Sequence, residues 1–165
     1  MDSSHVHALK GGPRPGPSPV NRGHLGSKHH LIVDAAGAPL AVSVTGAHRN
    51  DATQLIPLVE AIPAIRGRRG RPRHRPRYLL ADRGYDHDAY RRRLTARQIT
   101  PIIARRGTPH GFGLGCQRWP VERSIGWLHQ FRRLRTRWER RADIHQALLN
   151  LACSIICLRR LKTSF

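Results

Sequence analysis

An apolar segment that ends abruptly at a carboxylate does most to constrain the fold of this chain. Tyr78–Ala81 has the residues of a short buried strand, and Asp82 follows directly. Arg83-Gly84 breaks the strand, and Asp86 is of a residue type that caps helices, here a helix predicted over His87–Arg97. An acid at the carboxyl end of a strand, before a turn into a helix, is where open α/β sheets place their chemistry. A plain strand-capping role for Asp82 explains this stretch equally well.

The other elements alternate between strand and helix patterns, which predicts an α/β fold in one domain, residues 1–165. We expect a first strand over Asp2–Leu9 and a β-hairpin over His29–Thr45 around an Asp-Ala-Ala-Gly turn. Asn50-Asp51 should cap a helix over Ala52–Ile65. The apolar stripe of that helix comprises Leu55, Ile56, Leu58, Val59 and Ile62.

The second half of the chain is predicted to hold one more strand and two long helices. The strand covers Thr100–Ala104, and a basic loop, Arg105–Cys116, follows it. One long helix should start at Trp119-Pro120, and the last helix, Asp143–Leu161, should begin at an Asp cap. The apolar stripe of the first of these helices comprises Val121, Ile125, Trp127, Leu128, Phe131, Leu134 and Trp138.

The chain is strongly basic, with 30 Lys and Arg against 10 Asp and Glu and a formal net charge of +20. That excess repels itself in a compact fold, so it indicates a polyanionic partner, and nucleic acid is the best candidate. Two Gly- and Pro-rich basic segments, Lys10–His30 and Arg66–Arg77, are predicted loops. The second loop is either a charged linker or an arm that contacts phosphates. We favour DNA contact through Arg69, Arg71 and Arg73.

The three cysteines, Cys116, Cys153 and Cys157, cannot all pair within the chain, so no disulfide scaffold is expected and a reducing cytosol fits. Core packing explains Cys153 and Cys157 better than half of a zinc site does, since no matching second pair follows. The longest apolar run, Ala147–Leu158, is too short to span a bilayer, and no signal peptide is recognisable. We therefore expect a cytoplasmic, nucleoid-associated protein that has no contact with membranes.

Three acids lie at the ends of predicted elements: Asp2 on the first strand, Asp82 after the fourth, and Glu122 in the first turn of a long helix. If the first and fourth strands are neighbours, these carboxylates converge and need divalent cations to offset their repulsion. Hard oxygen ligands suit Mg²⁺, or Mn²⁺ in vitro, and two such ions promote phosphodiester displacement. Spacing alone also allows Glu122 to be an acid favoured by the helix dipole, and Asp2 to be a frayed terminal residue.

A set of motifs resembles the catalytic domain of the DDE transposases of bacterial insertion sequences, of the insertion-sequence-four/five type. The motifs are Asp2-Ser3-Ser4, residues 26–34 followed by Gly37, Thr45-Gly46 with Asn50-Asp51, residues 80–86, and residues 118–123. The resemblance covers nearly everything from Asp2 to Leu161. It implies a ribonuclease-H-like, mixed five-stranded sheet flanked by helices, and metal-dependent cleavage and strand transfer at insertion-sequence ends. It also implies that Asp2, Asp82 and Glu122 bind two Mg²⁺ ions, replaceable by Mn²⁺, in a homodimer on end and target DNA.

The same resemblance assigns residues to DNA contact. Arg118, four residues before Glu122, matches the Arg of a Tyr-Arg-Glu-Lys signature, and Arg118 and Arg123 are expected to bind phosphates. Gly115 stands where Tyr is common, and His129 stands where a Lys that contacts DNA is common. His129 is therefore either a weaker, pH-dependent substitute or an ordinary surface histidine.

Relatives usually carry a helical DNA-binding region and a full first strand ahead of the first Asp, whereas this chain starts one residue before Asp2. We expect the first strand to be shortened. We also expect specific binding of the element ends to need fusion, by frameshifting, to an upstream DNA-binding region. The alternatives are an inactive transposase remnant that acts only as a basic DNA-binding protein, and a nuclease of the same fold that cuts without regard to element ends.

Overall fold

The computed structural model describes residues 1–12, 15–67, 69–107 and 114–163, without the side chains of 114–117 and 163. The strands are β1 (Asp2–Ala8), β2 (Gly16–Pro17), β3 (Leu25–Val33), β4 (Pro39–Gly46), β5 (Tyr78–Ala81), β6 (Thr100–Ile103) and β7 (Thr136–Arg137). The helices are α1 (Leu55–Glu60), α2 (Asp88–Thr95), α3 (Leu114–Gln130), α4 (Arg132–Arg135) and α5 (Ala142–Thr163). Short 3₁₀ helices over Asp51–Gln54 and Arg83–Tyr85 precede α1 and α2.

A mixed sheet is built around β3. It pairs antiparallel with β1 on one side and with β2 and β4 on the other, and β1 pairs in parallel with β7. Strands β5 and β6 form a separate parallel pair. The nitrogen of Met1 donates a hydrogen bond to the Leu80 carbonyl (2.8 Å), so β1 starts beside β5. The predicted α/β fold, a mixed sheet flanked by helices, is confirmed.

Strand β3 separates two apolar cores, because successive side chains of a strand point to opposite faces. Ile32 belongs to a core formed with α1, α2, β5 and β6. Its neighbour Leu31 belongs to a second core, formed with β4 and with α3, α4 and α5. The predicted stripe of the first helix is confirmed, since all five of its side chains are buried in the first core.

The first half of the chain departs from prediction at two places. Residues 25–28, predicted as loop, belong to β3 and pair with its neighbouring strands, and β2 also lies within the predicted loop Lys10–His30. The first helix ends at Glu60 rather than Ile65. Pro63 explains the early end, because it has no N–H to continue the helical hydrogen bonds.

Two helix starts were also predicted wrongly. Asp86 does not cap α2, whose N-cap position is His87. Instead, Asp86 Oδ1 accepts a hydrogen bond from Arg91 Nε (2.7 Å), and Oδ2 accepts one from the Arg106 backbone N–H (2.8 Å). The last helix begins at Ala142 and extends to Thr163, so Asp143 lies in its first turn and pairs with Arg141 rather than capping the helix.

Helix α3 begins at Leu114 and contains Pro120, whereas the sequence predicted a start at Trp119-Pro120. Residues 108–113 of the predicted loop Arg105–Cys116 lie outside the described residues. The predicted stripe is interrupted where Phe131 adopts an extended conformation, and Trp138 is 44% exposed beyond β7. Among the helices described, none has the length and apolar character needed to cross a membrane.

Candidate catalytic site

Asp82 is held by the turn that follows β5. Its Oδ1 accepts a hydrogen bond from the Gly84 N–H (2.8 Å) and caps the Arg83–Tyr85 helix. A Cβ atom at position 84 would lie 2.9 Å from the same oxygen, so this close approach favours glycine. The capping role that the sequence allowed for Asp82 is therefore present, and it uses one of the two carboxylate oxygens.

Asp2 and Glu122 converge on the guanidinium group of Arg118. Arg118 Nη2 lies 3.1 Å from Asp2 Oδ2 and 3.7 Å from Glu122 Oε1. The first contact joins α3 to the start of β1, and the second spans one turn of α3. The Asp2 side chain is 16% exposed and that of Glu122 is 57% exposed, so the cluster opens to solvent on the Glu122 side.

Asp82 lies within electrostatic range of the same guanidinium group. Burial alone would lower the pKa of Arg118, but the hydrogen bond and charge of Asp2, followed by the charges of Asp82 and Glu122, raise that pKa above its ordinary value. Asp2 and Glu122 thus share one cationic neighbour, and the charge of Asp82 also acts on it. In the part of the chain that the structure describes, however, no three His, Cys, Asp or Glu side chains are arranged to hold one metal ion.

The chemistry of these side chains nevertheless suits a hard divalent cation. Carboxylate oxygens are the protein ligands that Mg²⁺ prefers, and Asp2 and Glu122 already point at one cationic group. Since that group is Arg118, a metal ion fits this donor set once the guanidinium moves away from Asp2.

A second polar cluster behind the acids was missed by sequence reasoning. The Lys28 ammonium group lies 2.9 Å from Asp51 Oδ1 and donates to the Arg49 carbonyl (2.8 Å), and the Lys28 side chain is only 7% exposed. The hydroxyl of buried Tyr85 has a raised pKa, mainly because of burial and further because of Asp51, Asp2 and Asp82. The sequence signal for this cluster was Lys28, which comes directly before the predicted hairpin strand. If the strand begins earlier, the Lys28 ammonium group becomes buried and needs a partner.

Arg123 packs between two indole rings. Its guanidinium carbon lies 4.3 Å from the ring centroid of Trp119 and 4.6 Å from that of Trp127, and Nη2 donates to the Ala36 carbonyl (2.6 Å). The two indole contacts lie within α3, at a spacing of four residues, and the hydrogen bond to Ala36 holds the hairpin turn against α3. Sequence reasoning missed both. The predicted phosphate contact of Arg123 stays a prediction.

His129 faces β1, with its Nε2 3.2 Å from Ser4 Oγ. Burial, with a smaller contribution from Arg135, lowers the pKa of His129 below its ordinary value. The imidazole is therefore mostly neutral at pH 7, and any DNA contact it makes at that pH is that of a neutral group. The two interpretations of His129 from sequence stay open.

The end of the Arg-rich loop lies near Arg118. Two backbone hydrogen bonds between Ile65 and Arg73 (3.0 and 2.8 Å) close its base. Arg69, Arg71 and Arg73 are exposed, as predicted for a solvated loop. The end of the loop, Pro76-Arg77, lines a cavity of about 630 Å³ together with Met1, Arg118 and Trp119. Arg69, Arg71 and Arg73 border a different cavity, together with Ile62 and Ile65.

The cysteines fit the core interpretation. Cys153 is buried, Cys157 is half-buried, and both are free thiols. Burial raises the pKa of Cys153 to about 12, so it is a thiol rather than a metal-binding thiolate at neutral pH. The side chain of Cys116 lies outside the described part of the structure.

The mixed sheet flanked by helices is consistent with the ribonuclease-H-like fold expected of the DDE class. The family description "Transposase DDE domain" matches residues 1–157, and the chain belongs to this family. It is thus a DNA transposase domain, which disfavours both alternatives from the sequence.

Two relatives extend this result. The chain is 58% identical over 152 residues, 92% of its length and 72% of the relative's, to a Burkholderia cepacia protein named "Putative transposase for insertion sequence element IS402". It is 27% identical over 139 residues, 81% of its length and 98% of the relative's, to a Brucella ovis protein named "Putative transposase for insertion sequence element IS6501". No solved structure matches significantly.

Proposed function

We propose that Asp2, Asp82 and Glu122 hold two divalent metal ions, Mg²⁺ in the cell, and that the chain cuts and joins DNA strands at the ends of an insertion sequence. The observation that carries the proposal is the convergence of Asp2 and Glu122 on one cationic group, with Asp82 in electrostatic range. The names of both relatives support insertion-sequence ends as the substrate. Mn²⁺ should substitute for Mg²⁺.

Divalent ions bound there would supply activation of the attacking oxygen and stabilisation of the leaving oxygen in an in-line phosphodiester displacement. The protein contributes by positioning the three acids. Asp2 opens β1, Asp82 is fixed by the cap that follows β5, and Glu122 lies on α3 one turn from Arg118. The position of each acid on its own element supports an arrangement that is largely set before DNA arrives.

DNA contact is assigned to the basic side chains around the cluster. We place phosphates against Arg118 and the exposed Arg69, Arg71 and Arg73, with Arg123 and His129 as further contacts. The exposure of the three loop arginines, and the cavity that Arg77 shares with Arg118, support this assignment. We further propose that two copies act together on end and target DNA in the nucleoid, and that fusion to an upstream DNA-binding region supplies recognition of the ends.

Asp82→Asn tests the metal assignment. The variant should lose Mg²⁺-dependent and Mn²⁺-dependent nicking of DNA that carries the element ends, on the order of 100-fold or more, because one ligand of the pair of ions loses its charge. Salt-sensitive DNA binding, measured by fluorescence anisotropy, should persist.

Asp88→Asn is the matched control, because Asp88 is an exposed acid on α2 that pairs with Arg105 away from the cluster. It should nick like the unchanged protein. Nicking by Asp82→Asn at the unchanged rate would refute the assignment. Equal cutting of DNA with scrambled ends would refute end-specific action while leaving the metal assignment intact.

A further inference from the structure

The acidic cluster already contains a cation, the guanidinium group of Arg118. A single nitrogen, Nη2, contacts Asp2 at 3.1 Å and approaches Glu122 at 3.7 Å. The charge of Asp82 adds to the same electrostatic field. Without a neutralising partner, acids gathered in this way would repel one another. Arg118 therefore supplies positive charge against these acids, which is the role that the proposed function gives to divalent ions.

We propose that Arg118 is a positioning residue that occupies the place of the metal ions in the metal-free protein and leaves Asp2 when they bind. This inference rests on the proposed function of the three acids. It adds that Arg118 competes with the metal, and that its contact with Asp2 sets how tightly the metal binds.

Competition follows from the distances. A Mg²⁺ ion binds carboxylate oxygens at about 2.1 Å, and Arg118 Nη2 lies 3.1 Å from Asp2 Oδ2. If both cations stayed on that oxygen, they would be separated by at most about 5 Å, where like charges at a partly buried site repel strongly. One of the two has to leave, and the arginine side chain is the one that can rotate.

The surroundings of Arg118 allow that rotation. Its side chain is 32% exposed, and its Nε is buried with no hydrogen-bond partner among the described residues. The adjoining cavity of about 630 Å³ has room for a guanidinium group. Asp34 and Trp119 also line this cavity, so a carboxylate and an aromatic face are available to a displaced arginine.

The test is Mn²⁺ binding to the full chain without DNA, measured by isothermal titration calorimetry. Arg118→Gln should bind Mn²⁺ at least about fivefold more tightly than the unchanged protein, since the metal no longer has to break an ion pair. In metal-free buffer the same variant should melt about 2–4 °C lower, and saturating Mn²⁺ should abolish this difference.

Arg118→Lys is a second variant that guards against misfolding. It keeps the charge but has a single ammonium group in place of the planar fork, so its Mn²⁺ affinity should lie between those of the unchanged protein and Arg118→Gln. Arg132→Gln, an exposed arginine on α4, controls for the lower net charge and should leave Mn²⁺ affinity unchanged.

The outcomes separate the two proposals. If Arg118→Gln and Arg118→Lys bind Mn²⁺ no more tightly than the unchanged protein, while Asp2→Asn abolishes binding, the role of Arg118 is overturned and the acids stand. If Asp2→Asn leaves Mn²⁺ binding unaltered, the proposed function fails first, and the role of Arg118 fails with it.

Discussion

At the scale of single residues, the spacing of Arg118 and Glu122 decides how the candidate site is built. Four positions on a helix place the two side chains on one face, so Arg118 can hold Glu122 and Asp2 together. Asp82 depends instead on the turn after β5, where its carboxylate binds the backbone of Gly84. Each acid is thus oriented by one neighbour.

Gly84→Ala tests the dependence of Asp82 on its turn. An added Cβ would lie 2.9 Å from Asp82 Oδ1 and push the carboxylate away from its capping position. We expect nicking to fall at least about tenfold, because a small misplacement of a metal ligand is costly in rate. The free energy of unfolding should fall by only about 1 kcal/mol, the usual cost of a lost cap. Urea denaturation and nicking assays measure the two effects, and an unchanged nicking rate in the folded variant would contradict this account.

At the scale of elements, β3 carries a dense set of buried polar groups. His29 Nε2 lies 2.8 Å from His145 Nε2 on α5, and His30 Nε2 lies 2.7 Å from Thr45 Oγ1 on β4. Buried Glu139 lies 2.8 Å from His145 Nδ1 and extends the first chain of contacts. These contacts tie β3 to its neighbours at the cost of burying three imidazoles, and burial lowers the pKa of each.

That cost makes the stability of the protein sensitive to acid. Burial lowers the pKa of His30 to about 4 and that of His29 well below its ordinary value. The unfolded chain, with a histidine pKa near 6.5, binds more protons than the folded chain between these values, so stability falls as the pH drops from about 6.5 to about 4. The loss approaches about 1.4 kcal/mol per pH unit for each histidine.

His30→Gln should make this dependence shallower by up to about 1.4 kcal/mol per pH unit, because its amide has no proton to gain. Urea denaturation at several pH values between about 4 and about 6.5 measures the slope. His24→Gln, at an exposed position, is the matched control. An unchanged slope in His30→Gln would mean that His30 is not the group that takes up protons on unfolding.

At the scale of the whole molecule, the periodic spacing of apolar residues accounts for most of the helices and strands that were predicted correctly. The apolar stripe of α1 and the strand before Asp82 are both observed, because local spacing determines which face of an element is buried. The early start of β3 was not predictable, since Gly26 to Lys28 become strand only through pairing on both sides. The grouping of the three acids stays a prediction. The sequence singled out Arg118 by its spacing from Glu122, but it could not foresee the contact of Arg118 with Asp2, which joins α3 to β1. One domain over residues 1–165 stays a prediction.

The net charge of +20 is also a property of the whole molecule, and it should appear as a strong dependence of DNA affinity on salt. Replacing Arg69, Arg71 and Arg73 together by Gln should reduce the slope of log affinity against log salt concentration by up to about 2.7 in magnitude. Each lost phosphate contact reduces the magnitude of that slope by about 0.9. Anisotropy titrations over a range of salt concentrations measure it. Replacing Arg22, Arg92 and Arg132, which are equally exposed, removes the same charge elsewhere and should flatten the plot much less.

The alternation of Leu31 and Ile32 has a consequence for how the transposase domain tolerates change. Asp82 follows β5, which packs in the same interior as Ile32. Glu122 lies on α3, which packs against the other interior, the one that contains Leu31. A void opened on either side would displace one acid relative to the other, since close-packed interiors transmit strain. The alignment of the acids therefore depends on packing in both interiors. Mutations on either side of β3, far from bound DNA, should reduce the activity of the protein.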